Sequence, residues 1–453
     1  QLMVLAGTPD LETELLPLGT VDPTISRACG RCLQEGGGDN LQRVLHSLRG
    51  LLEQGSAEPP CPQPLADPLP HDWRNEPGPR VGVVVYRALL QAGDLALVEA
   101  LLQALRSKGL APRALWVSSL RSDAVQGGVA DLLRREAVEL VLCTTSFASV
   151  QWSEAGLGAP LWEGLAVPVL QLLCSSQSRE AWEASSLGLS PLDLSLQVAL
   201  PELDGRITTR VGAFKELRQA SPSLATALLS LEPDRERLRW IVTLCSAWIT
   251  LRITPAPQRQ VALVLANYPT RNSRLANGVG LDTPASTVSI LHWLAEAGYD
   301  LGESVLPADG DGLIRALLAG RSNDPESDHR PALAHLPLEI YEAWYATLPA
   351  DGRATLEARW GSPDQDGGLE DGPEGRGFPV RGLQFGRVCV LIQPERGYDR
   401  DPSLSYHSPD LPPTHAYLAQ YLWLRQQFGA DVVVHVGKHG NLEWLPGKGL
   451  GLS

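Results

Sequence analysis

The sequence predicts a multidomain α/β protein built on parallel-sheet, doubly wound domains. Three observations carry that expectation. Short continuous apolar runs alternate with amphipathic stretches of helical period. The runs are rich in Val, Ile and Leu and apolar at consecutive positions, as strands covered on both faces must be. The alternation restarts after Pro255-Ala256-Pro257, so there are two such systems. A chain of 453 residues is also too long for one ordinary core.

The elements follow in order. In residues 1–79 the run from Asn40 to Leu52 places apolar residues at helical spacing, with Asp39 or Asn40 as cap after Gly36-Gly37-Gly38. Residues 56–79, with Pro59, Pro60, Pro62, Pro64, Pro68 and Pro70, read as a linker or surface crossing. Residues 80–255 read as the first α/β domain. Its strands are Val81–Tyr86, Ala114–Ser118, Val138–Cys143 and Val167–Leu172. Its helices are Leu95–Ser107, Ala124–Arg135 and Arg235–Ile253. Residues 256–453 read as the second, incomplete at its C-terminus. Its strands are Val261–Ala266, Arg387–Ile392 and Asp431–Val436. Helices are expected at Ser286–Ala297, Gly312–Leu318, Leu338–Ala346 and Ala416–Phe428. The Gly-, Asp- and Glu-rich stretch Gly361–Gly377 is expected to be an exposed loop.

Composition excludes several classes. The net charge of -14 argues against nucleic acid or an anionic membrane as principal partner. No apolar run approaches a membrane span. The 7 cysteines are scattered through apolar stretches, which fits a reducing, cytoplasmic setting without a disulfide framework. Cys29 and Cys32 form a CxxC without a second pair, so ordinary burial is the expectation. The chain opens on Gln1 and stops at Ser453, and both ends read as cut.

The densest candidate site follows the apolar run Val432-Val433-Val434. There His435, Lys438, His439, Asn441 and Glu443 lie on a Gly-rich stretch with Gly437 and Gly440. Ligand groups collect beyond the carboxyl ends of strands in open α/β sheets. Neutral imidazole and carboxylate bind borderline divalent metals and accept protons near neutral pH. His435, His439 and Glu443 are therefore candidate metal ligands and candidate proton acceptors. The alternative is a packed strand histidine and a solvated lysine.

A second constellation is Tyr406–His415, where His407 and His415 could face a ligand; equally it is a rigid turn capped by Thr414. A third, Asn267–Pro284, follows strand Val261–Ala266. Its Arg271 and Arg274 suit carboxylates and its Asn277 a loop wrapping a ligand. The alternative is a structural loop with exposed arginines. A phosphate-cradling Gly-x4-Gly-Lys-Ser/Thr, a dinucleotide fingerprint and a Gly-x-Ser-x-Gly elbow are all missing from the sequence.

At these residues the sequence resembles a known family. Gly437-Lys438-His439-Gly440-Asn441-Leu442-Glu443-Trp444-Leu445-Pro446-Gly447-Lys448 is similar to the signature of the large subunits of aerobic cobaltochelatases. The related magnesium chelatase large subunits share its core, and Lys438, Asn441 and Lys448 lean toward cobalt. Leu275–Pro284 and Tyr406–His415 resemble cobalt-type segments, and Leu33–Leu41 and Pro201–Ile207 carry weaker similarity.

The resemblance implies insertion of Co(II) into hydrogenobyrinic acid a,c-diamide during aerobic cobalamin biosynthesis. It implies ATP, with Mg2+, hydrolysed by a separate AAA+ subunit and its companion rather than bound here. It also implies that His439 and Glu443 handle metal or protons, with His435 third, and that the full protein continues beyond Ser453. The competing expectations are a magnesium chelatase large subunit acting on protoporphyrin IX and a non-catalytic tetrapyrrole-binding module.

Overall fold

The computed structural model describes residues 2–5, 12–153, 156–221, 226–267, 272–397, 408–437 and 445–449. The chain divides into two compact units, residues 1–249 with 448–453, and residues 250–447.

The first unit opens on helices α1 (Pro23–Glu35) and α2 (Gly38–Gln54). Asp22 caps α1 by accepting from Thr24 N, and Pro23 supplies a preset first turn. Cys29 and Cys32 are fully buried on one face of α1 beside Val44 and Leu51 of α2. Burial pushes both thiols above their ordinary pKa, so they behave as small core residues. Asn40 does not cap α2, which begins at Gly38. Its buried amide instead donates to the Gly36 and Gln63 carbonyls, both at 2.8 Å, and accepts from Gln63 N. That pins the Pro-rich stretch against the helix.

The sheet of this unit has seven strands in the order β1-β3-β2-β4-β5-β6-β7. These are β1 (Leu69–His71), β2 (Arg80–Tyr86), β3 (Ala111–Val117), β4 (Leu140–Cys143), β5 (Val169–Ser175), β6 (Ile207–Ser221) and β7 (Thr226–Pro233). The inner strands run parallel from β3 through β6, while β1 and β7 are antiparallel edges. Alternate residues serve opposite faces. Val81, Val83, Val85 and Trp116 pack against α3 (Ala96–Ser107) and α5 (Arg235–Ile253). Val84, Leu115, Val117 and Val141 pack against α4 (Asp123–Arg135).

The second unit is centred on a four-stranded sheet of order β12-β13-β8-β14. Strands β8 (Val261–Leu265), β13 (Val388–Ile392) and β14 (Val432–Val436) are parallel, and β12 (Gly382–Phe385) is an antiparallel edge. Every residue of β8 and β13 is buried. Val261, Leu263 and Leu265 face α6 (Thr283–Glu296) and α7 (Gly310–Ala319). Ala262 and Val264 face the other way, toward α8 (Leu338–Tyr345) and α9 (His415–Trp423). Each fully buried Leu or Val stabilises the layer by about 1.5–3 kcal/mol. Helices therefore cover both faces of a parallel sheet, as expected.

The stretch Gly361–Gly377 is not the loop predicted. It contributes β10 (Glu370–Gly372) and the start of β11 (Gly375–Val380), which join β9 (Ala334–Pro337) in an antiparallel sheet. Its acidic residues have partners that the sequence does not reveal: Glu370 meets Arg321 and His335, and Asp366 is buried. Among the described residues, no helix is long and apolar enough to cross a membrane.

Candidate functional site

The site is set by where the chain leaves the second sheet. After β8 it passes to α6 on one face, and after β13 to α9 on the other. Adjacent parallel strands whose connections depart to opposite faces open a crevice at their carboxyl ends, the usual ligand position in such sheets. Strands β8, β13 and β14 end at Leu265, Ile392 and Val436. In sequence, the three predicted constellations follow those three strand ends.

His435 is the next-to-last residue of β14, paired with Val264 of β8. Its ring stacks on Tyr421 of α9, with centroids 6.0 Å apart and planes 19° from parallel. Its Nε2 lies 3.4 Å from the Tyr421 hydroxyl. Burial lowers its pKa below the ordinary histidine value, because the imidazolium loses hydration. His435 is thus a neutral imidazole at pH 7, able to accept a proton or ligate a metal.

Tyr421 and Tyr417 are held as neutral phenols, since burial pushes both upward. Gln393, directly after β13 and fully buried, donates Nε2 to the Tyr417 and Tyr421 hydroxyls at 3.3 and 3.4 Å. Its backbone N donates to Leu265 O at 2.9 Å, which joins the ends of β13 and β8. Asn323 donates Nδ2 to Gln393 O at 2.7 Å.

Several polar atoms here are buried without a hydrogen-bond partner: Asn267 Nδ2 and Oδ1, Gln393 Oε1, Asn323 Oδ1 and Gln420 Oε1. Each such group costs about 1–3 kcal/mol when left unanswered.

The structure brings only part of the predicted set to this crevice. His435 is there. Arg274 lies exposed in a single 3-10 turn, Asn272–Arg274, and Asn277 is half-buried just beyond, its N donating to Arg274 O at 3.1 Å. Arg271, His407, Lys438, His439, Asn441 and Glu443 lie outside the described residues.

His415 is a correction. It is fully buried at the start of α9, with Nδ1 2.8 Å from the Tyr341 hydroxyl and Nε2 2.9 Å from Gly361 O. Tyr341 and Tyr345 meet it edge-on. With both nitrogens committed inside the core, it has nothing left for a substrate. The rigid capped turn is what forms, with Thr414 Oγ1 accepting from Tyr417 N at 3.1 Å. Among the described residues, no group of three or more His, Cys, Asp and Glu could hold a metal.

Sequence reasoning missed Gln393, Asn323 and Tyr421. The available signal was a lone amide directly after an apolar strand run, as in Ile392-Gln393 and, two residues past β8, Asn267.

Residues 31–453 match the family described as CobN/Magnesium Chelatase. The chain belongs to this family. Among CobN/Magnesium Chelatase relatives, it is 40% identical over 476 residues to the aerobic cobaltochelatase subunit CobN of a Sinorhizobium species, covering 100% of this chain and 36% of that protein. Against the subunit of the same name from Pseudomonas aeruginosa it is 45% identical, over 84% of this chain and 30% of that one. A magnesium-chelatase subunit from Rhodobacter capsulatus is 28% identical over 88% of this chain and 33% of that protein.

Among solved structures, the catalytic subunit of cobaltochelatase from Mycobacterium tuberculosis superimposes with a TM-score of 0.78 at 34% identity, over 98% of this chain and 37% of that one. The chain spans about a third of the length of these curated CobN/Magnesium Chelatase relatives.

Proposed function

We propose that this chain is part of the large, macrocycle-binding subunit of an ATP-dependent cobaltochelatase that inserts Co(II) into hydrogenobyrinic acid a,c-diamide. The observation that carries the reading is the crevice at the ends of β8, β13 and β14. It holds a neutral histidine beside unanswered polar groups, and three cobalt-type segments follow those strand ends in sequence.

Insertion requires two protons to leave pyrrole nitrogens and a divalent ion to shed water at the ring. In this reading His435 accepts a proton or takes part in holding Co(II), and Tyr421 fixes its ring plane. His439 and Glu443 share the metal and proton work. Arg271 and Arg274 pair with peripheral carboxylates, while Asn277, His407, Lys438 and Asn441 contact the macrocycle. ATP, with Mg2+, is hydrolysed by the AAA+ partner and its companion. The aerobic cobalamin pathway in the cytoplasm is the setting.

Quenching of intrinsic tryptophan fluorescence tests the reading on the full-length subunit. Tighter binding of hydrogenobyrinic acid a,c-diamide than of protoporphyrin IX is the expected result. The reverse order moves the protein to the magnesium branch, and binding of neither overturns the chelatase reading.

A further inference from the structure

Lys448 closes the stretch that carries His439 and Glu443, and its side chain has a seat of its own. The chain passes from the second unit into the first between Gly447 and Lys448. There Lys448 Nζ donates to Glu183 O at 3.1 Å and to Ser185 O at 2.7 Å. Both carbonyls sit at the C-terminal end of the short helix Arg179–Ala184, where carbonyls have no partner within the helix. The ammonium also lies over the Trp182 ring, 4.5 Å from its centre. Helix C-terminal carbonyls and an indole face both attract a cation. Gly449 N adds a backbone bond to Ser186 O at 2.9 Å.

The seat is built on the sheet of the first unit. Trp182 is buried and packs on Phe214 of β6, with ring centres 5.3 Å apart. Arg237 of α5 sets its guanidinium 4.8 Å from the same Trp182 ring and donates Nε to Val211 O of β6 at 2.6 Å. Lys448 is therefore tied to residues more than 200 positions away in sequence, since the bonds to Glu183 and Ser185 span 265 and 263 residues. Two of its three N–H donors go to carbonyls and its charge to an aromatic face, so it is committed inside the protein.

In sequence, His439 and Glu443 lie between Val436, the last residue of β14, and Lys448. Glycines raise the entropy cost of ordering a segment, and this one contains Gly437, Gly440 and Gly447. Fixing its far end offsets part of that cost before substrate arrives. Reacting groups gain most from such fixing, because small misplacements slow a reaction steeply.

We propose that Lys448 is a positioning residue for metal insertion: docked on Trp182 and the end of helix Arg179–Ala184, it fixes the C-terminal end of the stretch bearing His439 and Glu443. It touches neither the metal nor the macrocycle. This rests on the chelatase reading and deepens it, because it gives a residue outside the reacting groups a share in the rate.

The test uses the full-length subunit reconstituted with its ATPase partner and companion, as wild type, Lys448→Met and Lys448→Arg. Three quantities are read: kcat for Co(II) insertion into hydrogenobyrinic acid a,c-diamide, the dissociation constant of that macrocycle by tryptophan quenching, and the melting temperature. Methionine keeps the stem and removes the donors and the charge. Lys448→Met should lower kcat by about ten- to a hundredfold, with macrocycle affinity within about twofold of wild type. Lys448→Arg should recover most of kcat, since a guanidinium also donates to carbonyls and stacks on indole.

A Lys448→Met variant that binds the macrocycle more weakly at unchanged kcat overturns the proposal, because the lysine is then a ligand contact. A lower melting temperature at unchanged kcat overturns it as well, leaving a tie that serves folding alone. So does a kcat lost alike in Lys448→Met and Lys448→Arg, or retained in both. Those results leave the chelatase reading standing. A wild type that neither binds the macrocycle nor inserts the metal removes that reading, and the positioning role with it.

Discussion

Replacing Asp204 with Asn should destabilise the first unit by about 3–5 kcal/mol, the usual cost of leaving one member of a buried ion pair uncompensated. The Asp204 and Arg206 side chains are both shut off from solvent, with Oδ2 and Nη2 2.6 Å apart. The carboxylate accepts from Ser149 N at 2.8 and 2.9 Å and from Ser149 Oγ at 2.9 Å. Arg206 Nη1 donates to Thr145 O at 2.9 Å and Gln171 Oε1 at 3.1 Å. Trp162 covers the guanidinium, its ring centre 5.4 Å from Cζ.

Asn keeps the shape but removes the counter-charge, and its NH2 is a donor where Ser149 also donates. At about 1.4 kcal/mol per decade, the folding constant should fall by roughly 100- to 4,000-fold. Urea denaturation of wild type, Asp204→Asn and the double variant Asp204→Leu/Arg206→Met reads this directly. The double variant should recover part of the loss, because it removes the uncompensated charge while still leaving Ser149, Thr145 and Gln171 without their bonds to this pair. An Asp204→Asn variant within about 1 kcal/mol of wild type would refute the reasoning. So would a double variant no more stable than the single one.

Other consequences are independent of that pair. Thr414→Ala should cost about 1–2 kcal/mol, because the cap of α9 is fully buried and no water can replace Thr414 Oγ1; denaturant midpoints check it. His415→Ala should lower the melting temperature by removing bonds to Tyr341 and Gly361 O, yet leave macrocycle affinity of the folded protein unchanged; a selective loss of affinity at full stability would contradict its assignment to the core. His435 should titrate below the ordinary histidine value in an NMR pH series. Since its folded pKa is depressed, the unfolded chain takes the proton first, and stability falls as pH drops through about 6.5 toward the folded value. His435→Gln should lose that part of the acid sensitivity, and an unchanged pH profile would contradict it.

Strands β2 to β5, β8 and β13 were legible because they are apolar at consecutive positions, as burial on both faces requires, and β14 was found by the same kind of run although its Val433 and Val434 are exposed. The helix Arg235–Ile253 matched its predicted bounds, its stripe of Leu238, Ile241, Val242 and Cys245 lying in the core. The antiparallel pair β6 and β7 was not legible. Lys215, Glu216 and Arg218 break its apolar pattern, and Leu217 between them is exposed.

The site was half legible for a related reason. His435 could be found because it ends an apolar run. Gln393 and Asn323 were not singled out, since a buried amide has no period and their partners lie far off in sequence; the position of Gln393 directly after an apolar run was the one signal. His415 misled for the same cause: its partner Tyr341 is 74 residues away.

The most direct measurement of the central claim is ATP-dependent Co(II) insertion into hydrogenobyrinic acid a,c-diamide. It would use the full-length subunit reconstituted with its AAA+ partner and companion, comparing wild type with His435→Ala, His439→Ala and Glu443→Ala. The account predicts insertion by wild type and severe loss in the variants, with folding intact by circular dichroism and the ATPase rate of the partner unaffected. Full insertion by all three variants, or no insertion by a wild type that binds the macrocycle, would contradict it.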